Sequence, residues 1–448
     1  MMSDPRSTVY RPGGVVTMDP GRPHAEAFAV CGDRLTAVGT FEEVREVAGL
    51  EAEVVELDGV VLPGLIDAHM HMQRAGLKAL DYVDEGDDVE RYIDAMRDSF
   101  DDDGPEHPPF EDRIRALVRV QPLLHSLGFT SIVDPAVSPD EFRGYQESRR
   151  RGLLTMRTVM MPWHDLGSPE IPDVDAVIAR LDGIGLSTGF GDDLLRVGPI
   201  KVYADGEALK GQALLEEPWD DSGYRGVQRI SDEDFARLVR WCAEHGWGVG
   251  AHAVGGAAVS LVARTYAAEA AGAIRDRRHQ LIHAYLEPSA ETMALAAREG
   301  IIASLQPGIA IWNAPGLREK LGARAERIDP VRSWIDSGAP VAFGSDGPFF
   351  AFDPRHLIWH VVTRQIDGHP PLDSAEAITV SQALAAYTTG AAYAAMGEES
   401  QGMLRAGRLA DWALWSDDPT RVPIDDVRRL TVRRTVVGGR TVYRRAVR

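Results

Sequence analysis

Between residues 60 and 345 short apolar runs alternate with amphipathic stretches at helical spacing. Strand-like runs fall at 60–71, 130–134, 154–160, 194–203, 248–252, 280–283, 301–305 and 340–345. Helical patterns sit between most of them, at 110–127, 174–184, 232–245, 257–271 and 290–299. Eight strands alternating with helices predict an α/β fold, a (β/α)8 TIM barrel.

Both ends of the chain have a different texture. Residues 15–18, 27–30, 35–39 and 52–57 read as short strands, with a turn at 32–34 and a short helix over 41–48. Residues 410–415, 432–437 and 441–443 are strand-like too, the last two joined by a Gly438-Gly439 turn. Chain termini tend to lie close together. The expectation is one small β-sandwich domain built from 1–59 plus 402–448, beside a barrel of 60–401.

At 448 residues, with 44% hydrophobic and 26% charged positions, the composition is that of an ordinary globular protein. A net charge of −20 argues against nucleic acid and anionic membranes as partners. The two cysteines, Cys31 and Cys242, offer no disulfide framework and suit a reducing cytoplasm. Residues 1–11 have no apolar core of a secretory signal, and no apolar run is long enough to span a bilayer. The acidic stretch 81–106 follows the first strand and reads as solvated surface, with a lid over the mouth as the alternative.

Chemistry gathers at the predicted C-terminal strand ends, where barrels of this kind carry their sites. The first strand closes in His69-Met70-His71, whose alternate positions face the same way. His252 closes the fifth strand, His283 the sixth, and Asp346 follows the eighth. One such histidine is usually structural. Four histidines and an aspartate at one mouth suit Zn2+ or another first-row divalent ion. Lys201 lies inside the apolar fourth strand, where a charged amine is costly. It is either snorkelling or salt-bridged, to Asp205 for example, or a neutral amine carboxylated by CO2 into a carbamate bridge between two metals.

These segments resemble the amidohydrolase superfamily, and its YtcJ-like (amidohydrolase 3) branch in particular. Pro63 to His71, Ile200 to Gly206, His252 to Gly256, Arg278 to His283, Gly344 to Asp346 and Ala406 to Asp411 carry the resemblance. It implies two divalent ions, Zn2+ first, with Mn2+, Fe2+ or Ni2+ as alternatives. His69 and His71 would bind the more buried ion, carboxylated Lys201 would bridge, and His252 and His283 would hold the second. Asp346 would touch the first ion and act as general base and acid. Two positions depart from the family pattern: Gly256 stands where Asp is usual and Ile282 where Glu is usual.

The resemblance implies a metal-dependent hydrolase cleaving an amide-type C–N bond. A deaminase of the same superfamily ranks lower, because no Glu follows His252 closely. A non-catalytic assembly protein ranks lower still, because all six ligand positions are kept. Trp163, His164, Tyr203, Trp312, Phe349 and Arg225 are the expected substrate contacts, with Gln212, Gln306, Asn313, Phe350 and Phe352 nearby. They predict a small, largely apolar amide as substrate. A homodimer is the expected assembly. His125 reads as core, His356 and His360 as packing or surface, and the remaining histidines are given no role.

Overall fold

The computed structural model describes residues 7–49, 51–82, 108–166 and 171–446. The acidic stretch anticipated as surface or lid lies almost wholly outside them. The fold is α/β, and its centre is a set of short parallel strands. Leu65–Asp67, Phe129–Val137, Arg157–Pro162 and Leu195–Val197 pair in that order. Ile200–Tyr203, Val249–Gly255, Gln280–Leu286, Ile302–Leu305 and Val341–Phe343 form a second parallel run. Nearly every residue in these strands is buried, which is why they read as continuous apolar runs and not as alternating ones.

Backbone hydrogen bonds join the two runs at both seams. The His164 N–H donates to the Lys201 carbonyl (2.9 Å), beside a parallel bridge from Trp163 to Lys201. At the other seam Ala68 N–H donates to Phe343 O (2.9 Å), Asp346 N–H to His69 O (2.7 Å) and His71 N–H to Gly347 O (2.8 Å).

Three strands differ from their sequence-based expectation, each for a local reason. The run at 60–71 is divided at Gly64. Its first part ends the strand Glu53–Pro63, which pairs with Trp412–Trp415 in the terminal sheet. Only Leu65–Asp67 joins the parallel set, so His69 and His71 lie just beyond a strand end. The third strand is Arg157–Pro162, later than expected, because Gln121 Oε1 accepts the N–H groups of Thr155 (2.6 Å) and Met156 (2.9 Å) and holds them off the sheet. The fourth is broken by Gly198-Pro199, where proline lacks the N–H a ladder needs. The helices match closely: Phe110–Ser126, Val174–Ile184, Asp232–Glu244, Gly256–Glu269 and Ala290–Glu299. Side-chain caps from Asp173, Ser231 and Ser289 start three of them.

The two chain ends meet in one hydrogen-bonded sheet of eight strands, where a two-layered sandwich was expected. Its order is Arg440–Arg444, Val432–Val437, Trp412–Trp415, Glu53–Pro63, Thr8–Val16, Ala27–Cys31 and Arg34–Gly39, with His24–Ala25 beside Thr8–Val16. The sheet is strongly bent. Tyr10 is in register with Val55 and Trp412 with Pro63, on the two sides of the long strand. In a flat sheet eight residues of offset is about 26 Å. Instead the Tyr10 and Trp412 ring centroids are 5.3 Å apart and both meet Phe28. Between Val55 and Pro63 lies Gly59, with φ +132°, where a Cβ would lie 2.2 Å from Trp415 O.

A buried ion pair fastens this sheet to the parallel strands. Asp411 accepts from Arg157 Nε (2.6 Å) and Nη2 (3.0 Å) and from Gly438 N–H (2.7 Å). Replacing Asp411→Ala strands the Arg157 guanidinium in a nearly dry site. We expect a loss of about 3–5 kcal/mol in urea unfolding; a midpoint within error of wild type would show that the pair does not hold the two parts together.

Candidate metal centre and active site

The site grows from the seam between the first and eighth parallel strands. Asp67, fully buried, accepts the N–H groups of His69 (3.1 Å) and Ser345 (2.9 Å) on one oxygen. It thereby holds both strand ends in one register. A Cβ at Gly344 would lie 2.4 Å from His69 N and 2.5 Å from His69 Cβ, so only glycine permits this approach. Asp346 then meets His69 Nε2 at 3.4 Å and His71 Nε2 at 3.3 Å. Ligand atoms of these three buried residues lie within 4.8 Å of one another. Asp346 (φ +57°) and His283 (φ +78°) hold left-handed backbone conformations, uncommon for residues other than glycine and concentrated at functional sites.

The other half comes from strands four to seven. The His283 ring lies 4.6 Å from that of His252 and 5.2 Å from that of His69, between centroids. His283 Nδ1 pairs with Gln306 Oε1 (2.8 Å), whose amide N–H2 donates to Ser304 (3.2 Å). That orientation makes Nδ1 the donor and leaves Nε2 with its lone pair. Lys201 is 2% exposed and forms no salt bridge among the described residues. Asp205, offered as its partner, instead accepts three backbone N–H groups, from Val254, Gly255 and Leu214, each at 2.9 Å. The salt-bridged reading of Lys201 is therefore corrected: Asp205 ties strand-four and strand-five loops together.

Electrostatics leaves these groups in ligand-competent states. Burial, reinforced by the Lys201 charge, takes His69 down to about 4 and His252 to about 3. Burial takes the Lys201 amine down to about 7. Burial alone would raise Asp346, but hydrogen bonds from His69 and His71 outweigh it and keep the carboxyl well below its ordinary value. At neutral pH the imidazoles are neutral and the carboxylate ionised, as metal ligation requires. His252 Nε2 is buried without a hydrogen-bond partner, 3.7 Å from Asp205 Oδ1. Imidazole and carboxylate donors without thiolate fit a first-row divalent ion.

The remaining anticipated residues spread more widely. Phe349 packs edge-on to His71 (5.1 Å), and Tyr203 tilts against His252 (5.4 Å). His164 is buried, its Nδ1 3.3 Å from Pro162 O, and burial takes it to about 4. Trp163 and Trp312 are 36% and 47% exposed, the latter on the helix Pro307–Leu321. Arg225 is exposed; the cation that reaches Tyr203 is Arg229, 5.0 Å from the ring centroid and 2.6 Å from Asp165. Lys78 lies 5.6 Å from the Phe349 ring centroid. The sequence reading overlooked Asp134, Arg229 and the roles of Asp67 and Gln306. Asp67 and Asp134 are both acids near the end of an apolar strand, but nothing in that position marks their roles. The two departures are explained by space: a Cβ at Gly256 would lie 2.2 Å from Glu287 O, and Ile282 is buried among apolar side chains away from the ligands. His125 is core, bonded to Phe129 O (2.9 Å). His356 stacks on Trp359, and His360 is buried.

The amidohydrolase family model (Amidohydro_3) matches residues 94–443. The chain belongs to that family. It is of the YtcJ-like kind. YtcJ of Bacillus subtilis (strain 168), an amidohydrolase by name, is 34% identical over 257 residues, 56% of this chain and 47% of YtcJ. The chain thus spans about half the length of that relative. The N-substituted formamide deformylase of Arthrobacter pascens is 24% identical over 99% of both chains. Among solved structures, a metal-dependent hydrolase of Pyrococcus horikoshii OT3 aligns over 94% of this chain and 99% of its own, with TM-score 0.76 and 18% identity. The A. niger ochratoxinase covers 99% and 97%, with TM-score 0.65 and 16% identity. These likenesses show the fold. Among the described residues no helix is long and apolar enough to cross a membrane.

Gly344 gives a test of the seam. Gly344→Ala should cost about 1–3 kcal/mol by overpacking and lower the divalent metal recovered with the purified protein. Wild-type metal content and stability together would contradict the close approach.

Proposed function

We propose that this amidohydrolase cleaves an amide-type C–N bond in a small, largely apolar substrate. The convergence of His69, His71 and Asp346, with Lys201, His252 and His283 around the same mouth, carries the reading. His69, His71 and Asp346 would hold one divalent ion, Zn2+ by preference, and His252 and His283 a second. Lys201, buried and easily neutral, would bridge as its carbamate. When bound, the ions supply Lewis-acid polarisation of the carbonyl and acidify water toward neutrality. Asp346 takes the proton of the attacking water and returns it to the leaving nitrogen. Phe349 and Tyr203 form the apolar wall, with Trp163, His164, Trp312 and Arg225 further out.

On the scaffold, we read the hydrogen-bonded circuit of parallel strands as a closed (β/α)8 barrel. The bent terminal sheet, with Tyr10, Phe28 and Trp412 across its fold, serves as the small sandwich. The first boundary moves from residue 59 to residue 63, because Glu53–Pro63 pairs into that sheet, and the second stays at 402.

Two substitutions separate binding from chemistry. Asp346→Asn keeps the shape and loses the base. It should retain most of its metal and lose about 10²–10⁴-fold in kcat. Lys201→Ala should lose metal and rate together, with partial recovery from a short carboxylic acid. Unchanged kcat in the first, or unchanged metal in the second, rejects the corresponding role.

The wall predicts selectivity. Each buried methylene contributes ~0.8 kcal/mol, and among the described residues Arg229 is paired with Asp165 and Arg74 with Glu141. Neutral N-formyl and N-acyl amides with aryl or alkyl groups should therefore show higher kcat/KM than matched anionic N-acyl amino acids. The opposite order would reject the apolar reading while leaving the metal chemistry intact.

A further inference from the structure

One buried carboxylate beside the site has no part in the scheme above. Asp134 lies on the second parallel strand, Phe129–Val137. The pairing with Arg157–Pro162 slips between Asp134 and Val137, and Ala136 has a φ of +54°. Such a bulge bends a strand and re-aims its side chains. Met70 N–H donates to the preceding carbonyl, Val133 O (2.9 Å), which brings Asp134 alongside His71. Asp134 Oδ1 lies 3.9 Å from His71 Nδ1, while His71 Nε2 faces Asp346 at 3.3 Å. The imidazole thus stands between two carboxylates, one on each nitrogen.

The other oxygen of Asp134 is fixed. The Tyr145 hydroxyl, fully buried on the helix Pro139–Arg150, donates to Oδ2. Arg74, whose charge acts on Asp134, is paired with Glu141 (3.5 Å) and donates to Ala136 O (3.4 Å). A carboxylate is rarely buried beside a phenol for packing alone. The Gln73 N–H also bonds to the Asp134 carboxyl, and Asp134 Oδ1 lies beside a histidine whose opposite nitrogen faces Asp346. Histidines that bind metal almost always donate their second N–H to such a partner, which fixes the tautomer and raises ligand basicity.

We propose that Asp134, held by Tyr145, is the positioning residue for His71. It accepts the Nδ1–H so that Nε2 presents its lone pair to the ion. The 3.9 Å separation is about an ångström longer than a hydrogen bond, so on this proposal His71 and Asp134 must close that distance when the ion binds. The inference rests on His71 being a metal ligand, as proposed above.

The test titrates metal-stripped protein with Co2+, reading affinity and visible absorption, beside thermal unfolding without metal. Asp134→Leu, similar in shape but without an acceptor, should bind Co2+ about 10–100-fold more weakly with an altered spectrum. Asp134→Asn, which keeps one acceptor oxygen, should fall between it and wild type, and it carries the test if the leucine variant does not fold. Tyr145→Phe should weaken binding by less than Asp134→Leu. His71→Ala separates the two readings. If it abolishes binding while both Asp134 variants bind like wild type with an unchanged spectrum, the positioning role is overturned. If His71→Ala itself binds like wild type, the ligand assignment fails, and the inference falls with it.

Discussion

Everything at this site depends on how closely the first and eighth parallel strands approach. Two ligands come from one and a third from the other, and no side chain can be placed between them. Gly344 removes the obstacle, and Asp67 binds a peptide N–H on either side. Neither residue touches substrate or metal in the proposed scheme. They set where His69, His71 and Asp346 stand, and a carboxylate with two imidazoles at that spacing could hold a metal ion. The left-handed backbone at Asp346 and His283 belongs with this: the local preference of the chain is overruled so that the ligands converge.

Burial does the electrostatic work. Withdrawn from water, imidazole loses its proton affinity and lysine approaches neutrality, so the groups that would repel a cation are discharged before it arrives. The same withdrawal penalises every polar atom without a partner. Asp205 meets that penalty with three backbone N–H groups, His283 with Gln306, and Asp134 with Tyr145. The site is therefore set in a shell of polar side chains held at short range by groups from neighbouring strands.

Much of this was legible in the amino-acid order. Strand–helix alternation and the residues at strand ends identified the parallel set and the ligand candidates, because both arise from local periodicity. What escaped depended on pairing across long separations. The division at Gly64 is invisible in an apolar run, since Val60 to Pro63 and Leu65 to Asp67 look alike until their partners are known. The displaced third strand follows from one glutamine, Gln121, on a distant helix. Arg225 and Arg229 share one loop, and only its path shows that Arg229 reaches Tyr203. Asp134 looked like an ordinary strand residue because a bulge, with no strong sequence mark, turns it toward His71.

The strand Glu53–Pro63 leads directly into the segment bearing His69 and His71, yet its neighbour on one side is Trp412–Trp415. From Pro63 to Trp412 is 349 residues. A ribosome adding about 5–20 residues per second needs roughly 20–70 s to cover that distance. During that interval the long strand has one edge unpaired, and until Gly344 emerges the first ligand segment has no eighth strand to close against. Nascent chains of this protein thus pass through a period in which two imidazoles are made and their carboxylate is not. The order of synthesis brings these three groups together only 275 residues after His71.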